Sequence, residues 1–192
     1  TVCVSTNNVV VHGIPKERVL VEGDIIGIDC GVYLDGYHTD MAETIIVGKS
    51  NDGHVLEFLK TGKKAMYEGI RQAKPGHRVG HISRAMQETI EGGGYSVVRS
   101  LVGHGVGKEL HEAPEVPGYL EREMRKTPVL EEGMTIAVEA IYNMGGIGVK
   151  YDGSDDWTIV TEDGSLAGLF ERTILITENG PELITYFPGE SL

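Results

Sequence analysis

Runs of β-branched and other apolar residues, separated by short polar or glycine-containing stretches, recur along most of this chain and predict β-strands. The longest are IIGIDCGV, YHTDMAETIIV, MTIAVEAIY and LFERTILIT, and shorter ones lie within residues 2–11, in WTIV and in ELITYF. Asp35-Gly36 separates two of these runs, and this dipeptide is a strong signal for a two-residue hairpin turn. The pattern therefore indicates antiparallel strands.

Two stretches instead place apolar residues at the spacing of a helix. One covers residues 52–73 and is ended by Lys74-Pro75-Gly76, and the other covers residues 79–91 and is ended by three glycines. Their inward-facing residues are predicted to be Val55, Leu56, Leu59, Met66, Ile70 and Ala73 in the first helix, and Ile82, Met86 and Ile90 in the second. Antiparallel strands with helices packed on one face give the fold class α+β.

Composition narrows the class of protein. The 192 residues suit one domain that covers residues 1–192. A net charge of −12 argues against nucleic-acid binding and suits a pocket that holds cations. Cys3 and Cys30 are the only cysteines, which favours a reducing compartment. No apolar run approaches the roughly 18 residues of a membrane helix, and no signal peptide is recognised, so the expectation is a cytoplasmic monomer.

Acidic residues interrupt strands that are otherwise apolar. Asp29, Glu139 and Glu171 lie within such runs, and Asp40 lies on the second arm of the predicted hairpin. A buried carboxylate is costly unless it is paired or binds a metal ion. One such acid is also explained as an edge-strand charge that discourages aggregation. Four acids together, with two histidines after a glycine-rich stretch, favour a functional site.

The hairpin turn determines which of these residues face each other. If Asp35-Gly36 is a two-residue turn, Asp29 pairs with Ala42 and Gly31 pairs with Asp40. Asp29 and Asp40 then project from one face as diagonal neighbours, with Cα atoms roughly 7–8 Å apart. Two carboxylates at this separation can bind a pair of metal ions that are about 3.5–4 Å apart. A register slip of one residue would put the two acids on opposite faces.

The segment GHGVGKELHEAP, residues 103–114, contains two histidines and three glycines but fits no familiar motif. The spacing of a dinucleotide fingerprint fails at Lys108, and that of a phosphate loop fails at Glu109. The helix of a zincin motif is prevented by Pro114. The segment has to be interpreted with the acids elsewhere in the chain.

Five of these polar residues occur along the chain in the order Asp29, Asp40, His104, Glu139 and Glu171. They lie within the segments IGIDCG, YHTDMAET, GHGVG, AVEAIYN and FERTILIT. With this order and these flanks, essentially the whole chain resembles the pita-bread metallopeptidases, most closely the bacterial-type (type I) methionine aminopeptidases. VVVHGIP around His12 and VCVSTNN around Cys3 point to that branch. The resemblance implies a curved antiparallel β-sheet backed by helices, and a chain that lacks the family's N-terminal helical segment.

The resemblance also implies two divalent metal ions on the concave face of the sheet. Asp40 and Glu171 would bridge the ions, and Asp29 would chelate one of them. His104 and Glu139 would complete the other. One imidazole among carboxylates suits Mn²⁺, Fe²⁺, Co²⁺ or Zn²⁺.

The glycines around His104 have a predicted role in this arrangement. Through their freedom in φ, Gly103, Gly105 and Gly107 are expected to turn the backbone tightly, as a loop, so that His104 reaches the metal ions. His111, further along, would stand over the substrate carbonyl and would not bind metal.

The activity implied by the resemblance is removal of an N-terminal methionine from peptides and nascent chains. A bridging water acidified by the two ions would attack the scissile carbonyl as hydroxide. Glu139 would shuttle the proton, while His111 would lie near the oxyanion and His12 near the peptide nitrogen. The methionine side chain would enter an apolar pocket formed in part by Cys3, Leu110 and Trp157.

Two alternatives remain open from the sequence. An Xaa-Pro aminopeptidase or prolidase would use the same metal ligands, although the HGIP setting of His12 disfavours it. A catalytically weak peptide-binding member of the fold would normally lack ligands, whereas all five are present here.

Overall fold

The computed structural model describes residues 1–192. The strands are β1 (Val2–Thr6), β2 (Val9–Val11), β3 (Ile25–Cys30), β4 (Val32–Leu34), β5 (Tyr37–Thr39), β6 (Met41–Ile46), β7 (Ser96–Val97), β8 (Gly103–Gly105), β9 (Glu112–Val116), β10 (Thr135–Asn143), β11 (Val149–Tyr151), β12 (Ile159–Thr161), β13 (Ala167–Thr177) and β14 (Gly180–Leu183). The helices are α1 (Gly53–Ile70) and α2 (Val79–Gly92), with a short 3-10 helix at Met124–Lys126. No helix is long and apolar enough to cross a membrane.

Nine strands form one antiparallel sheet, which confirms the predicted α+β class. Its order is β1-β3-β6-β13-β10-β8-β9, with β14 beside β13 and β7 beside β10. The long central strands β10 and β13 pair over nine residues, from Thr135 opposite Leu175 to Asn143 opposite Ala167. This uninterrupted ladder fixes the register at the middle of the sheet.

Helix α1 covers one face of the central strands, and α2 packs beside it against α1, β7 and β9. Alternate residues of β10 and β13, among them Tyr142, Phe170 and Ile174, meet buried residues of the helices such as Phe58 and Met86 in one apolar cluster. The Tyr142 hydroxyl donates to the carbonyl oxygen of Phe58 at 2.7 Å, so the one buried hydroxyl at this contact is satisfied. The helices thereby form a rigid support behind the sheet.

On the opposite face, the small sheet β11-β12-β2 covers one end of the central strands. Val10 and Val11 of β2 pack there with Ile141 and Leu169 in a second apolar cluster. The neighbouring part of this same face carries the acids, so that a cavity lies beside the second cluster.

The predicted hairpin register is confirmed. Asp29 lies opposite Ala42, and Leu34 lies opposite Tyr37. Asp35 and Gly36 have φ values of 50° and 87°, as a type I′ turn requires. The outer part of the hairpin, β4 and β5, leaves the large sheet and forms a separate two-stranded sheet.

Both predicted helices are present, but the inward face of α1 was partly wrong. Leu56 is 48% exposed, and α1 ends at Ile70, before Ala73. The buried stripe begins at Phe58 and includes Thr61 and three small residues that a count of apolar positions omits, namely Gly62, Ala65 and Gly69. Close approach of α1 to the sheet, rather than large apolar side chains alone, sets this face.

Three predicted strand or loop boundaries also need correction. Residues 103–105 form β8 and residues 112–116 form β9, where a continuous loop was expected. Strand β12 is shorter than the predicted run WTIV, because it excludes Trp157. Strand β14 is displaced toward the N-terminus relative to the predicted run ELITYF, because it begins at Gly180. Polar and proline residues in β9 concealed this strand, because it lies at the sheet edge, where they are tolerated.

A matched pair of glycine substitutions tests the packing of α1. A Cβ at Gly62 would overlap the buried Tyr142 ring, whereas nothing lies within 4 Å of a Cβ at Gly92. We expect Gly62→Ala to lower the free energy of unfolding by about 1–3 kcal/mol or more through overpacking, despite the better helix propensity of alanine. Gly92→Ala should be neutral or stabilising by up to about 1 kcal/mol. Urea unfolding measures both, and equal stability of the two variants would contradict this packing.

Candidate metal centre

The register of five neighbouring strands places three of the predicted ligands in one row. Cys3 lies opposite Asp29, Asp29 opposite Ala42, Ala42 opposite Glu171, and Glu171 opposite Glu139. Directly paired residues share a face of a sheet. The row therefore crosses β1, β3, β6, β13 and β10 with all side chains on one face.

Asp40 and His104 flank this row on the same face. Asp40 lies two positions before the β6 residue of the row, and His104 lies opposite Ala137, two positions before Glu139. Alternate residues of a strand share a face. Ligand atoms of Asp40, His104 and Glu171 lie within 4.8 Å of one another. The structure thus brings together residues separated by more than a hundred positions in the sequence.

All five predicted metal ligands line a single cavity of about 160 Å³. His12 and His111 line it as well, as do the apolar residues Val11, Leu101, Val102, Ile141 and Leu169. Sequence reasoning missed these apolar residues. Strand alternation contained a signal for two of them, because Ile141 and Leu169 lie two positions from Glu139 and Glu171 and therefore share their face.

Asp29, Glu139 and Glu171 hold their protons more tightly than isolated carboxyls do. Burial, then the charge of Asp40 and a hydrogen bond with it, raises the pKa of Asp29 to about 7. Burial and the charges of Asp29 and Asp40 raise the pKa of Glu139 to about 8. Burial and the charge of Glu139 raise the pKa of Glu171 well above its usual value. These groups lack nearby compensating positive charge on their own face, which divalent cations would supply.

His104 has the protonation state that a metal ligand needs. Its Nδ1 lies 2.8 Å from the carbonyl oxygen of Gly105, and since a carbonyl only accepts, Nδ1 carries the proton. Nε2 is then left with a free lone pair. Burial lowers the pKa of His104 and so favours the neutral ring. One neutral imidazole among hard carboxylates fits a divalent ion of the Mn²⁺ to Zn²⁺ series.

The glycines around His104 act differently from the prediction. None of Gly103, Gly105 and Gly107 has a positive φ, so their freedom in φ is not what the site uses. A Cβ at Gly103 would lie 2.5 Å from the carbonyl oxygen of Ala137, and one at Gly105 would overlap the carbonyl oxygen of Ala113. Gly103 and Gly105 instead let β8 lie very close to β10 and β9, the strands on either side of it.

His12 and His111 both line the cavity, and the ring of each lies against another aromatic ring. The ring centroids of His111 and His104 are 4.3 Å apart. His12 has a φ of 60°, which is uncommon for a residue with a Cβ, and its ring stacks on Trp157 at 4.5 Å. Burial lowers the pKa of His12. Both rings are therefore positioned to meet a molecule in the cavity.

The three residues predicted for the methionine pocket lie around the cavity rather than in its lining. Trp157 is 54% exposed and stacks on His12. Leu110 lies near Gly31, at the point where the hairpin leaves the large sheet. Cys3 is half-buried beside Asp29, and burial followed by the charge of Asp29 raises the pKa of its thiol. Their role in substrate binding stays a prediction.

The sequence pattern of metallopeptidase family M24 matches residues 1–178. The chain belongs to this family. Membership agrees with the geometry, because an M24 chain requires metal ligands and five candidate ligands converge on one cavity. The family resemblance stated from the sequence is confirmed.

Similarity to individual proteins supports membership of family M24. A methionine aminopeptidase of Clostridium acetobutylicum is 46% identical over 186 residues, which are 96% of this chain and 73% of that protein. The crystal structure of a methionine aminopeptidase from Thermotoga maritima has a TM-score of 0.91 at 43% identity, covering 97% of this chain and 74% of that one. A prolidase from Pyrococcus horikoshii has a TM-score of 0.75 at 26% identity, covering 97% and 48%. The pita-bread fold is thereby confirmed.

Two glycine variants test how His104 is placed. Gly103→Ala should force β8 away from β10 and displace His104, which we expect to weaken Co²⁺ binding about 10–100-fold. Gly107→Ala is the control, because its Cβ would meet only the carboxylate end of Glu112, at 3.2 Å. Isothermal titration of metal-free protein with Co²⁺ measures both. Native affinity in Gly103→Ala would show that the close approach of β8 does not place the ligand.

Proposed function

We propose that this chain is a metalloaminopeptidase that removes N-terminal methionine from peptides and nascent proteins. The observation that carries the proposal is the convergence of Asp29, Asp40, His104, Glu139 and Glu171 on one cavity. Relatives 46% identical to this chain are methionine aminopeptidases, which supports the same activity here.

The donor set fits two divalent metal ions. We assign Asp40 and Glu171 to both ions, Asp29 to one of them, and His104 with Glu139 to the other. When bound, the two ions lower the pKa of a shared water, so that hydroxide is available near neutral pH. This set of one imidazole and four carboxylates suits Mn²⁺, Fe²⁺, Co²⁺ or Zn²⁺.

Glu139 is the residue that we assign to proton transfer. Its carboxylate lines the cavity directly opposite Glu171, among the side chains assigned to the ions. A carboxylate in this position can accept a proton from the attacking water and pass it to the departing amine.

His111 and His12 are assigned to the substrate rather than to metal. His111 lies beside His104, so an N–H of its ring can donate to the carbonyl oxygen as negative charge develops there. His12 faces the same cavity, with its ring held by the stack on Trp157, and we assign it to the peptide nitrogen. Cys3, Leu110 and Trp157 are proposed to surround the methionine side chain.

A peptide assay tests the activity and its main alternative. Protein reconstituted with Mn²⁺ or Co²⁺ is offered Met-Gly-Met and an Xaa-Pro peptide side by side, and released amino acids are measured by chromatography. We expect methionine release that a chelator abolishes. Preferential cleavage next to proline would favour a prolidase-type enzyme, and neither metal binding nor turnover would favour a peptide-binding protein.

Glu171→Ala tests the ligand set directly. This variant loses a carboxylate assigned to both ions, and we expect turnover to fall by more than about 100-fold, beyond the effect of altering a residue outside the ligand set. Glu182→Ala, on the exposed part of neighbouring β14, is the matched control. Near-native turnover in Glu171→Ala would contradict the assignment.

A further inference from the structure

A buried arginine lies directly behind the metal centre. Arg172 follows Glu171 in β13, so its side chain projects from the opposite face of the sheet. It is 0% exposed and is the largest fully buried side chain in the molecule. A buried guanidinium is costly unless all of its donors are bonded, and the function described above gives it no role.

All five N–H donors of Arg172 are bonded. Nη1 donates to the carbonyl oxygens of Ala42 at 3.0 Å and Glu171 at 2.7 Å. Nη2 donates to Glu43 and to Glu190, each at 2.7 Å. Nε donates to the second oxygen of Glu190 at 3.2 Å. The planar guanidinium therefore has one fully specified position.

The two carbonyl oxygens belong to the strand pair that supports the ligands. Ala42 and Glu171 are direct partners between β6 and β13. This ladder has only two residue pairs, the other being Met41 with Arg172, so the join between these strands has little backbone pairing of its own. Arg172 therefore bonds to the main chain of both strands at this join, and one of the two carbonyl oxygens belongs to Glu171, a proposed metal ligand.

A threonine secures the same join next to Arg172. The Thr173 hydroxyl accepts from the backbone N–H of Asp40 and donates to its carbonyl oxygen, both at 2.8 Å. The separation of β6 and β13, and with it the separation of Asp40 from Glu171, thus depends on side chains as well as on backbone bonds.

The C-terminal segment holds Arg172 in place from behind. Glu190 is positioned by the backbone N–H of Phe187, which donates to its carboxylate at 2.7 Å, and by the hydroxyl of Tyr67 on α1. Burial would raise the pKa of Glu190, but the hydrogen bonds from Arg172, Tyr67 and the backbone of Phe187 together outweigh it and bring the pKa to about 2. Glu43 is held in turn by Lys63 on α1, at 2.6 Å.

We propose that Arg172 is a positioning residue of the metal centre, and that Glu190 locks it there. By binding the main-chain oxygens of Ala42 and Glu171, Arg172 fixes how far apart the carboxylates of Asp40 and Glu171 stand. A buried ion pair is often no more stabilising than apolar side chains of the same volume, so stability alone is a poor reason for this arrangement. The inference rests on the proposed function insofar as Asp40 and Glu171 hold metal.

Two variants distinguish a role of Arg172 in positioning the metal ligands from an effect of its charge or of the stability of the fold. Glu190→Gln keeps the shape of the side chain but weakens the lock, and Arg172→Lys keeps the charge but cannot bond both carbonyls and both carboxylates. In each we expect Co²⁺ affinity to fall about tenfold, the visible absorption of the Co²⁺ form to change, and kcat on Met-Gly-Met to fall while KM stays within about twofold.

Controls and contrary outcomes follow from the same measurements. Glu182→Gln controls for loss of a surface acid, and Ile90→Val in α2 controls for lost stability far from the site. Should Arg172→Lys fail to fold, Glu190→Gln alone decides. Native Co²⁺ affinity, spectrum and kcat in Glu190→Gln, with only a lower Tm, would identify a structural role and overturn the inference. A wild-type protein that binds no Co²⁺ would overturn both this inference and the proposed function.

Discussion

The cost of burying four neighbouring carboxyl groups on one face of a sheet, together with the repulsion between their charged forms, is the constraint that the rest of this structure has to satisfy. Asp29, Asp40, Glu139 and Glu171 come from different parts of the chain, and strand pairing holds them where their charges oppose one another. All four line the same cavity. Bound cations would convert this repulsion into attraction, so the same geometry that burdens the metal-free fold would favour the metal-bound one.

The opposite face of the sheet supplies the stability that this arrangement needs. Helix α1 packs its apolar side chains against β10 and β13, with α2 packed against α1, and the Tyr142 ring fills the space left by Gly62. Behind the join of β6 and β13, Arg172 replaces apolar packing with five directed hydrogen bonds. One face therefore buries acids without nearby positive charge, and the other provides the packing and hydrogen bonds that keep them in place.

Local rules were sufficient for much of the fold and for two acids of the candidate site, whereas the full set of five ligands was implied by the family resemblance. The turn at Asp35-Gly36 determined the hairpin register, and strand alternation then placed Asp29 and Asp40 on one face. Contacts between distant segments were beyond such rules. The reason for glycine at Gly103 is a carbonyl oxygen of a different strand, and the charged Arg172 reads as a solvent-facing residue until the C-terminal segment is seen to cover it. Leu56 was misplaced for a related reason, since glycines mark the true packing face of α1.

The candidate ligands other than Asp40 lie within paired strands, whereas His12, Leu110 and Trp157 lie on connections between strands. A connection can change its length or composition without altering the register of the sheet. Under the proposed roles, a change in these connections would alter the preference for an amino-terminal residue while the candidate ligands keep their positions. The fold shared with a prolidase at 26% identity shows how far a sequence can change while this strand arrangement is kept.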